Sequence, residues 1–215
     1  MKSDAQLKSD VEAELRWEPS VHAEQIGVSA KNGVVELDGQ VGSYYEKWAA
    51  ERAALRVASV KAIAGEIKVE LSSSAERTDE DIARTAKNHL DWDYSVPDTV
   101  KVQVSNGWVT LKGAVEWQYQ REEAERTVRP LVGVKGVFNE ITVTPKASAS
   151  DVKVKIENAL KRSAETDAKH IKVETSDGKV TLRGTVNSWA ERAEAERAAW
   201  AAPGVTRVED LITVL

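Results

Sequence analysis

The chain has 215 residues, of which 41% are hydrophobic and 30% are charged, and its formal net charge at pH 7 is −5. This composition is typical of a folded protein and excludes a disordered one, and the weak negative charge excludes a global positive field that would hold nucleic acid. The lack of cysteine excludes disulfides, zinc-thiolate sites and thiol nucleophiles.

The first predicted element is an amphipathic helix. Leu7, Val11 and Leu15 recur at helical spacing and therefore share one face, and Asp4 stands where it can cap the helix start. Two alternating apolar runs follow, separated by Asn32-Gly33. Such a pair tolerates the positive φ angles of a two-residue turn, so the sequence predicts a β-hairpin.

A second helix and a third strand complete the pattern. Ser43 and Glu46 have the spacing of a capping box, which places the start of the helix. Ile67, Val69 and Leu71 alternate and predict a strand that turns these side chains to one face. The predicted order of elements is therefore α-β-β-α-β.

The same order recurs twice along the chain. Gly33, Gly107 and Gly178 are separated by 74 and 71 residues, and other landmarks repeat at the same two intervals. We therefore predict an α+β protein of three tandem units over residues 1–73, 76–145 and 149–215. Each unit is a three-stranded sheet packed against two helices. A unit of this size has a core worth only about 3–5 kcal/mol, so we also expect the units to pack on one another.

The later copies differ from the first at the helix ends. Thr78 and Ser150 are the predicted caps of their first helices, and Trp117 replaces the serine that caps the second helix elsewhere. Gly133 and Gly204 are predicted C-terminal caps of the second helices, an advantage that the first copy, with Ser59, lacks.

The hairpin motif of the first copy reads Gly33-Val34-Val35-Glu36-Leu37-Asp38-Gly39. With the Ala-Glu-Arg helix and the Gly-Val before the last strand, it resembles the BON domain, and all three copies match. The resemblance implies a bacterial protein of the osmotically inducible or transport-associated kind, whose domains bind phospholipid surfaces or other macromolecules. It implies no catalytic site.

The residues themselves predict no catalytic, cofactor or metal site. His22, His89 and His170 do not occupy one aligned position, and the acidic run Asp79-Glu80-Asp81 is typical of a helix N-terminus. The start of the chain has no signal-peptide pattern and no stretch could span a bilayer. We therefore expect a cytoplasmic protein, or a periplasmic one if a leader has been removed.

Two sets of residues are candidates for a partner surface. Basic side chains alternate with buried aliphatic ones along the hairpins, and the sequence has seven tryptophans against one phenylalanine. Trp17 and Trp92 follow the first helices and are predicted to close the core there. The candidate surface consists of Trp108, Trp117, Trp189, Lys101, Lys112, Lys172, Lys179 and Arg183. The three tryptophans are candidates for contact with a partner, with lipid headgroups or with a neighbouring copy.

The leading functional hypothesis is a non-catalytic protein that binds phospholipid membrane surfaces through repeated weak sites, because repetition favours avidity. The alternative is a protein–protein scaffold or chaperone-like binder of client polypeptides. A third class, an enzyme or sensor with a ligand between copies, stays open. Nucleic acid, cofactors and transmembrane segments are not expected.

Overall fold

A computed structural model describes residues 2–65, 67–145, 151–163 and 170–215. Domain 1 consists of α1 (Asp4–Trp17), β1 (Ile26–Lys31), β2 (Val34–Val41), α2 (Tyr44–Arg56), β3 (Ala62–Ala64) and β4 (Ile67–Val69). Domain 2 consists of α3 (Asp79–Trp92), β5 (Lys101–Ser105), β6 (Trp108–Val115), α4 (Gln118–Val128) and β7 (Gly136–Val143). Domain 3 consists of α5 (Val152–Arg162), β8 (Ile171–Ser176), β9 (Lys179–Val186), α6 (Trp189–Trp200) and β10 (Arg207–Val214).

Each domain has the predicted α+β architecture, which confirms the three-unit prediction. The hairpin strands are antiparallel, and the last strand pairs parallel to the second one, so the second hairpin strand is central in every sheet. The parallel pairing follows from the second helix, which carries the chain back over the sheet before the last strand begins. Both helices of a domain therefore cover one sheet face, and among the described residues no helix of the same domain lies on the other face, where the side chains of the central strand are mostly exposed or partly exposed.

The helices and the sheet of each domain enclose a separate apolar core. In domain 1, Leu7, Val11 and Leu15 of α1 pack against Val35 and Leu37 of β2, and all five are buried. The equivalent residues form the cores of domains 2 and 3, although Val152 is only partly buried. The periodic residues of the sequence thus build cores rather than a site.

The starts of the first helices differ in part from the prediction. Thr78 caps α3 as expected and accepts the N–H of Asp81 at 3.2 Å, but the cap of α1 is Ser3 rather than Asp4. The Asp4 carboxylate instead accepts the N–H of Asn32 in the hairpin turn at 2.8 Å. Ser150, the cap predicted for the third copy, lies outside the described residues.

The predicted capping box is half formed at α2. Ser43 Oγ accepts the N–H of Glu46 at 3.1 Å, but the Glu46 carboxylate accepts the N–H groups of Gly42 and His22 rather than that of Ser43. Domain 2 starts its second helix without a serine. There Gln120 Oε1 accepts the N–H of Trp117 at 3.0 Å.

The prediction that Gly133 and Gly204 cap the second helices is wrong. α4 ends at Val128 and α6 at Trp200, so both glycines lie further on, in the corner before the last strand. Their φ angles are 95° and 85°, and Ser59 adopts the same left-handed conformation with φ 78°. The last strand of domain 1 is also interrupted at Gly65 and ends at Val69, so Leu71 lies beyond it.

Replacing Ser59 with glycine should stabilise domain 1 by about 1 kcal/mol, because a left-handed conformation is strained for serine and not for glycine. Urea unfolding followed by circular dichroism measures this change. The matched control is Gly133→Ser in domain 2, which should destabilise, since its Cβ would lie 2.8 Å from Cβ of Arg77. An unchanged or lowered midpoint for Ser59→Gly would contradict the strain.

Candidate functional site

The helix-free sheet face of domain 2 carries an aromatic pair. Trp108 lies over Gly136 of β7 and stacks on Phe138, with ring centroids 5.0 Å apart and planes at 19°. The two side chains remain 41% and 52% exposed. A glycine under the indole is required because any Cβ at residue 136 would collide with the ring. Trp108 is therefore a rigid and accessible aromatic platform.

Two predicted lysines share this face, and each contacts other residues of domain 2. Lys112 Nζ lies 3.3 Å from Gln103 Oε1 and 3.7 Å from the Glu140 carboxylate. Lys101 Nζ donates to the carbonyl of Asp98 at 3.2 Å. Both side chains are exposed, so these contacts contribute little free energy and a partner could displace them.

The helix-free face of domain 3 is more basic. Lys179 lies 2.8 Å from Glu209, and the Arg183 guanidinium lies 3.9 Å from Glu174. Lys172 and Arg207 are exposed on the same face. Four cations against two carboxylates give this face a net positive charge in a chain that is negative overall.

The other two predicted tryptophans lie elsewhere. Trp189, the first residue of α6, is partly buried, and its Nε1 donates to the carbonyl oxygen of Val60 in domain 1 at 2.9 Å. The Arg192 guanidinium lies 4.7 Å from the centroid of its ring. Trp117 precedes α4 and is half-buried. The structure thus distributes the eight candidate residues over two sheet faces, one helix start and one contact between domains.

The prediction that Trp17 and Trp92 close the core is wrong. Each is the last residue of its domain's first helix, and they are 82% and 88% exposed. Each follows the last buried leucine, Leu15 or Leu90, by two residues, which is a rotation of about 200° around the helix axis. The helical period alone therefore could have placed both indoles on the solvent side.

The sequence pattern of the BON domain matches residues 3–70, 78–145 and 148–215, nearly the whole chain. The chain belongs to the BON domain family. Osmotically-inducible protein Y of Escherichia coli (strain K12) is 35% identical over 142 residues, which are 61% of this chain and 71% of that protein.

Solved structures give weaker likenesses. The C-terminal domain of CdsD, a structural protein of the type III secretion system of Chlamydia trachomatis, is 14% identical, with full coverage of both chains and a TM-score of 0.28. A periplasmic domain of PrgH from S. typhimurium is 12% identical, covering 88% of this chain and 99% of its own, with a TM-score of 0.24. Scores this low carry no argument about this chain.

The BON domains also contact one another through their second helices. Tyr44, the first residue of α2, packs against the core of domain 2. Burial and the nearby Glu125 carboxylate of α4 raise the pKa of its hydroxyl. The Arg129 guanidinium of domain 2 lies 4.0 Å from the ring centroid of Trp48, a cation–π contact between domains. Packing between the units was expected from their size, but the residues that make these contacts were not predicted, because contacts between domains have no sequence period.

The described residues include no group of three or more histidine or acidic side chains that could hold a metal ion. An open groove of about 1040 Å³ is lined by Gln25, Asp38, Lys68 and Glu70, all from BON domain 1. Its lining also includes Ser72, whose hydroxyl is hydrogen-bonded to that of Ser74 at 3.0 Å. In the part of the chain that is described, no helix is both long and apolar enough to cross a membrane.

Proposed function

We propose that this BON protein is a non-catalytic binder of phospholipid membrane surfaces in the response to osmotic stress, acting through repeated weak contacts. The single observation that carries the proposal is the pair Trp17 and Trp92. Both are more than four-fifths exposed at the same position of two domains. Indole rings, apolar in body and polar at the N–H, favour the boundary between lipid headgroups and acyl chains.

The stress assignment comes from the relative, osmotically-inducible protein Y, and from the family. The non-catalytic assignment is supported by the use of the recurring residues in cores and corners. The basic sheet face of domain 3 adds a site of attraction for anionic headgroups, worth about 1 kcal/mol for each basic residue near the surface.

Vesicle co-sedimentation tests the lipid proposal. The wild-type chain should sediment with vesicles of phosphatidylcholine and phosphatidylglycerol, and indole fluorescence should shift to the blue. Trp17→Ala and Trp92→Ala should each weaken binding about tenfold, because each removes part of the apolar area that leaves water on binding.

Tyr119→Ala is the matched control for these variants. Tyr119 is 57% exposed on the second helix of domain 2 rather than at a first-helix end, so its removal should leave vesicle binding unchanged. Equal sedimentation of the wild-type chain and of a variant that combines Trp17→Ala with Trp92→Ala would reject the tryptophan sites. No sedimentation of the wild-type chain at low salt would reject the lipid function.

A second candidate function, binding of client polypeptides, is favoured by the exposed Trp108–Phe138 pair on an uncovered sheet face. Aromatic side chains are enriched at protein interfaces. If this is the function, the protein should slow the aggregation of a denatured model client without lipid, and Phe138→Ala should remove that effect while leaving vesicle binding intact. Equal aggregation rates with and without the protein would exclude it.

A further inference from the structure

The three sheet faces that carry no helix have different side chains at one equivalent pair of positions. In domain 2 these positions hold the exposed rings of Trp108 and Phe138. Among the three described sheets, only that of domain 2 presents aromatic rings to solvent. The strand registers give the equivalent residues of the other two domains, which are Val34 and Ala64 in domain 1 and Lys179 and Glu209 in domain 3.

Gly136 shows that this aromatic pair is a built feature of domain 2. The equivalent residues are Ala62 in domain 1 and Arg207 in domain 3. The backbone does not require a glycine at residue 136, because the φ angle of Gly136 is not in the positive range. The indole of Trp108 does require it, because a Cβ at residue 136 would collide with the ring. Trp108 and Gly136 are therefore a matched pair that the other two domains lack.

The rest of this face is polar and close to neutral. Its side chains form rows across the three strands, and all of them are exposed except Thr110 and Gly136. Counted from the hairpin turn, the first three rows are Ser105, Trp108 and Gly136, then Gln103, Thr110 and Phe138, then Lys101, Lys112 and Glu140. Two cations against one carboxylate do not favour a polyanion, and a flat sheet lacks the concave shape of a small-molecule site. The face therefore fits another flat protein surface.

An extended peptide cannot add a strand beside β7 without breaking existing hydrogen bonds. The Arg121 guanidinium donates to the carbonyl oxygen of Asn139 at 3.2 Å, and the side-chain oxygen of Asn139 accepts the N–H of Ile141 at 3.3 Å. An added strand would need backbone groups of this kind on the edge of the sheet. A partner is therefore expected to lie on the face of the sheet rather than along the edge at β7.

The dimensions of the face match what a weak dimer needs. Three strands spaced by about 4.8 Å, with a central strand of eight residues that rise about 3.3 Å each, make a face of about 14 by 26 Å. Two such faces in contact bury roughly 700 Å² as flat rectangles and roughly 1,000 Å² with the relief of their side chains. Specific interfaces begin at about this area, and the smallest of them are transient.

A half-turn about an axis that crosses the strands at Thr110 makes the face complementary to itself. It reverses the order of the rows, so Trp108 lies over Lys112 of the second copy, and Phe138 lies over Phe138 of the second copy. An ammonium group over an indole and a pair of stacked phenyl rings are both attractive. A half-turn along the strands would instead bring Lys112 over Lys112 of the second copy, which is repulsive. Sheets that pack face to face keep their strands within about 30° of each other, and the first arrangement allows this.

We propose that two copies of this chain form a twofold dimer through the sheet faces of domain 2, with the row of Trp108 in each copy on the row of Lys112 in the other. The contact uses the same patch on both copies, so it closes at two copies and does not continue into a fibre. The dimer does not depend on the lipid-binding function proposed above. It uses the same face as the second candidate function, so a client polypeptide would have to displace the second copy.

Sedimentation velocity of the full chain tests the dimer. Between about 1 μM and about 1 mM, the wild-type chain should convert reversibly from monomer to dimer. Trp108→Ala should raise the dissociation constant at least about thirtyfold, which is the usual effect of losing a central aromatic contact. Trp92→Ala is the matched control, because it removes an exposed indole from the first helix of the same domain, and it should leave the dissociation constant unchanged. Circular dichroism should be the same for all three chains.

Three further variants test the arrangement of the two faces. Gly136→Ala keeps both aromatic rings but displaces the indole, so it should weaken the dimer at least about tenfold. Lys112→Glu should abolish the dimer, whereas Lys112→Arg should retain it, because a guanidinium group also binds over an indole. In heteronuclear NMR spectra of the wild-type chain, the indole N–H of Trp108 and the amides of β6 and β7 should shift with concentration.

A wild-type chain that stays monomeric up to about 1 mM would overturn the dimer. A dimer that Trp108→Ala leaves intact, or concentration-dependent shifts confined to domains 1 and 3, would overturn the assignment of the face. A monomeric chain that slows client aggregation, and loses this effect in Phe138→Ala, would refute the dimer and support the second candidate function instead.

Discussion

Replacing Gly39 with alanine is expected to unfold domain 1 while Gly27→Ala leaves it folded. Gly39 lies in β2 with φ 148°, and a Cβ there would collide with the backbone carbonyl of Gln25. Neither the backbone of Gln25 nor the paired strands can move aside without breaking the hairpin. Such a collision in a left-handed conformation costs about 3 kcal/mol or more, which is comparable to the whole core of a domain of this size.

Gly27 is the matched control because it lies on the adjacent strand, opposite Asp38. A Cβ at Gly27 would lie 3.5 Å from the Asp38 carbonyl oxygen, an ordinary contact, so Gly27→Ala should change stability by less than about 0.5 kcal/mol. Amide resonances of domain 1 in heteronuclear NMR spectra measure the outcome. Gly113→Ala and Gly184→Ala should likewise remove the native resonances of domains 2 and 3. Native domain 1 resonances in Gly39→Ala would show that the hairpin can accommodate the added Cβ.

The parts of the fold that sequence predicts are those set within one domain. The helical spacing of Leu7, Val11 and Leu15 and the turn at Asn32-Gly33 each report a local preference, and the structure has the helix and the hairpin where they indicate. Repetition strengthened these indications, because three copies carry the same pattern. The wrong predictions of helix caps also concern structure within one domain. Asp4 could cap its helix or bind the hairpin turn, and only the fold, which brings Asn32 beside it, decides between the two.

The positions of the tryptophans relative to cores and domain contacts could not be predicted from composition. A tryptophan suits both a core and an interface, so composition alone could not separate Trp17, which is exposed, from Trp189, which contacts another domain. The angular position of Trp17 relative to Leu15 could have done so. The contact of Trp189 with Val60 depends on how two domains are oriented, and residues 129 positions apart in the chain leave no periodic signal.

The stability of domain 1 should depend on pH through Glu46. The equivalent residue of domain 2 is Gln120, whose side chain does not ionise. Glu46 is the one buried charged residue among the described residues, and its Oε1 lies 2.8 Å from the backbone nitrogen of His22 and 2.7 Å from its ring Nδ1. Burial by itself would raise the pKa of Glu46, but hydrogen bonds from His22 and Gly42 outweigh it and lower that pKa below 4.5. The hydrogen bond to Glu46 raises the pKa of His22 above 6.5.

These shifts have opposite consequences for stability. The folded state favours ionised Glu46, so its contribution is present above pH 4.5 and is lost as the pH falls through the lowered pKa. The folded state favours protonated His22, so that contribution is complete below pH 6.5 and is lost as the pH rises through the raised pKa. Domain 1 should therefore be most stable between these limits, near pH 5 to 6.

Glu46→Gln should destabilise domain 1 by about 1–3 kcal/mol at pH 6, because a neutral amide accepts the N–H groups of Gly42 and His22 less strongly and leaves the imidazolium without its counter-charge. His22→Asn should remove the decline in stability above pH 6.5 and leave the loss of stability at low pH unchanged. Urea unfolding from pH 4 to pH 9 measures the loss of stability at both ends of this range. Gln120→Glu in domain 2 is the control for the carboxylate alone, because domain 2 has no histidine at this contact. A flat wild-type profile across pH 6 to 8 would mean that the His22 ring does not hold its proton through Glu46.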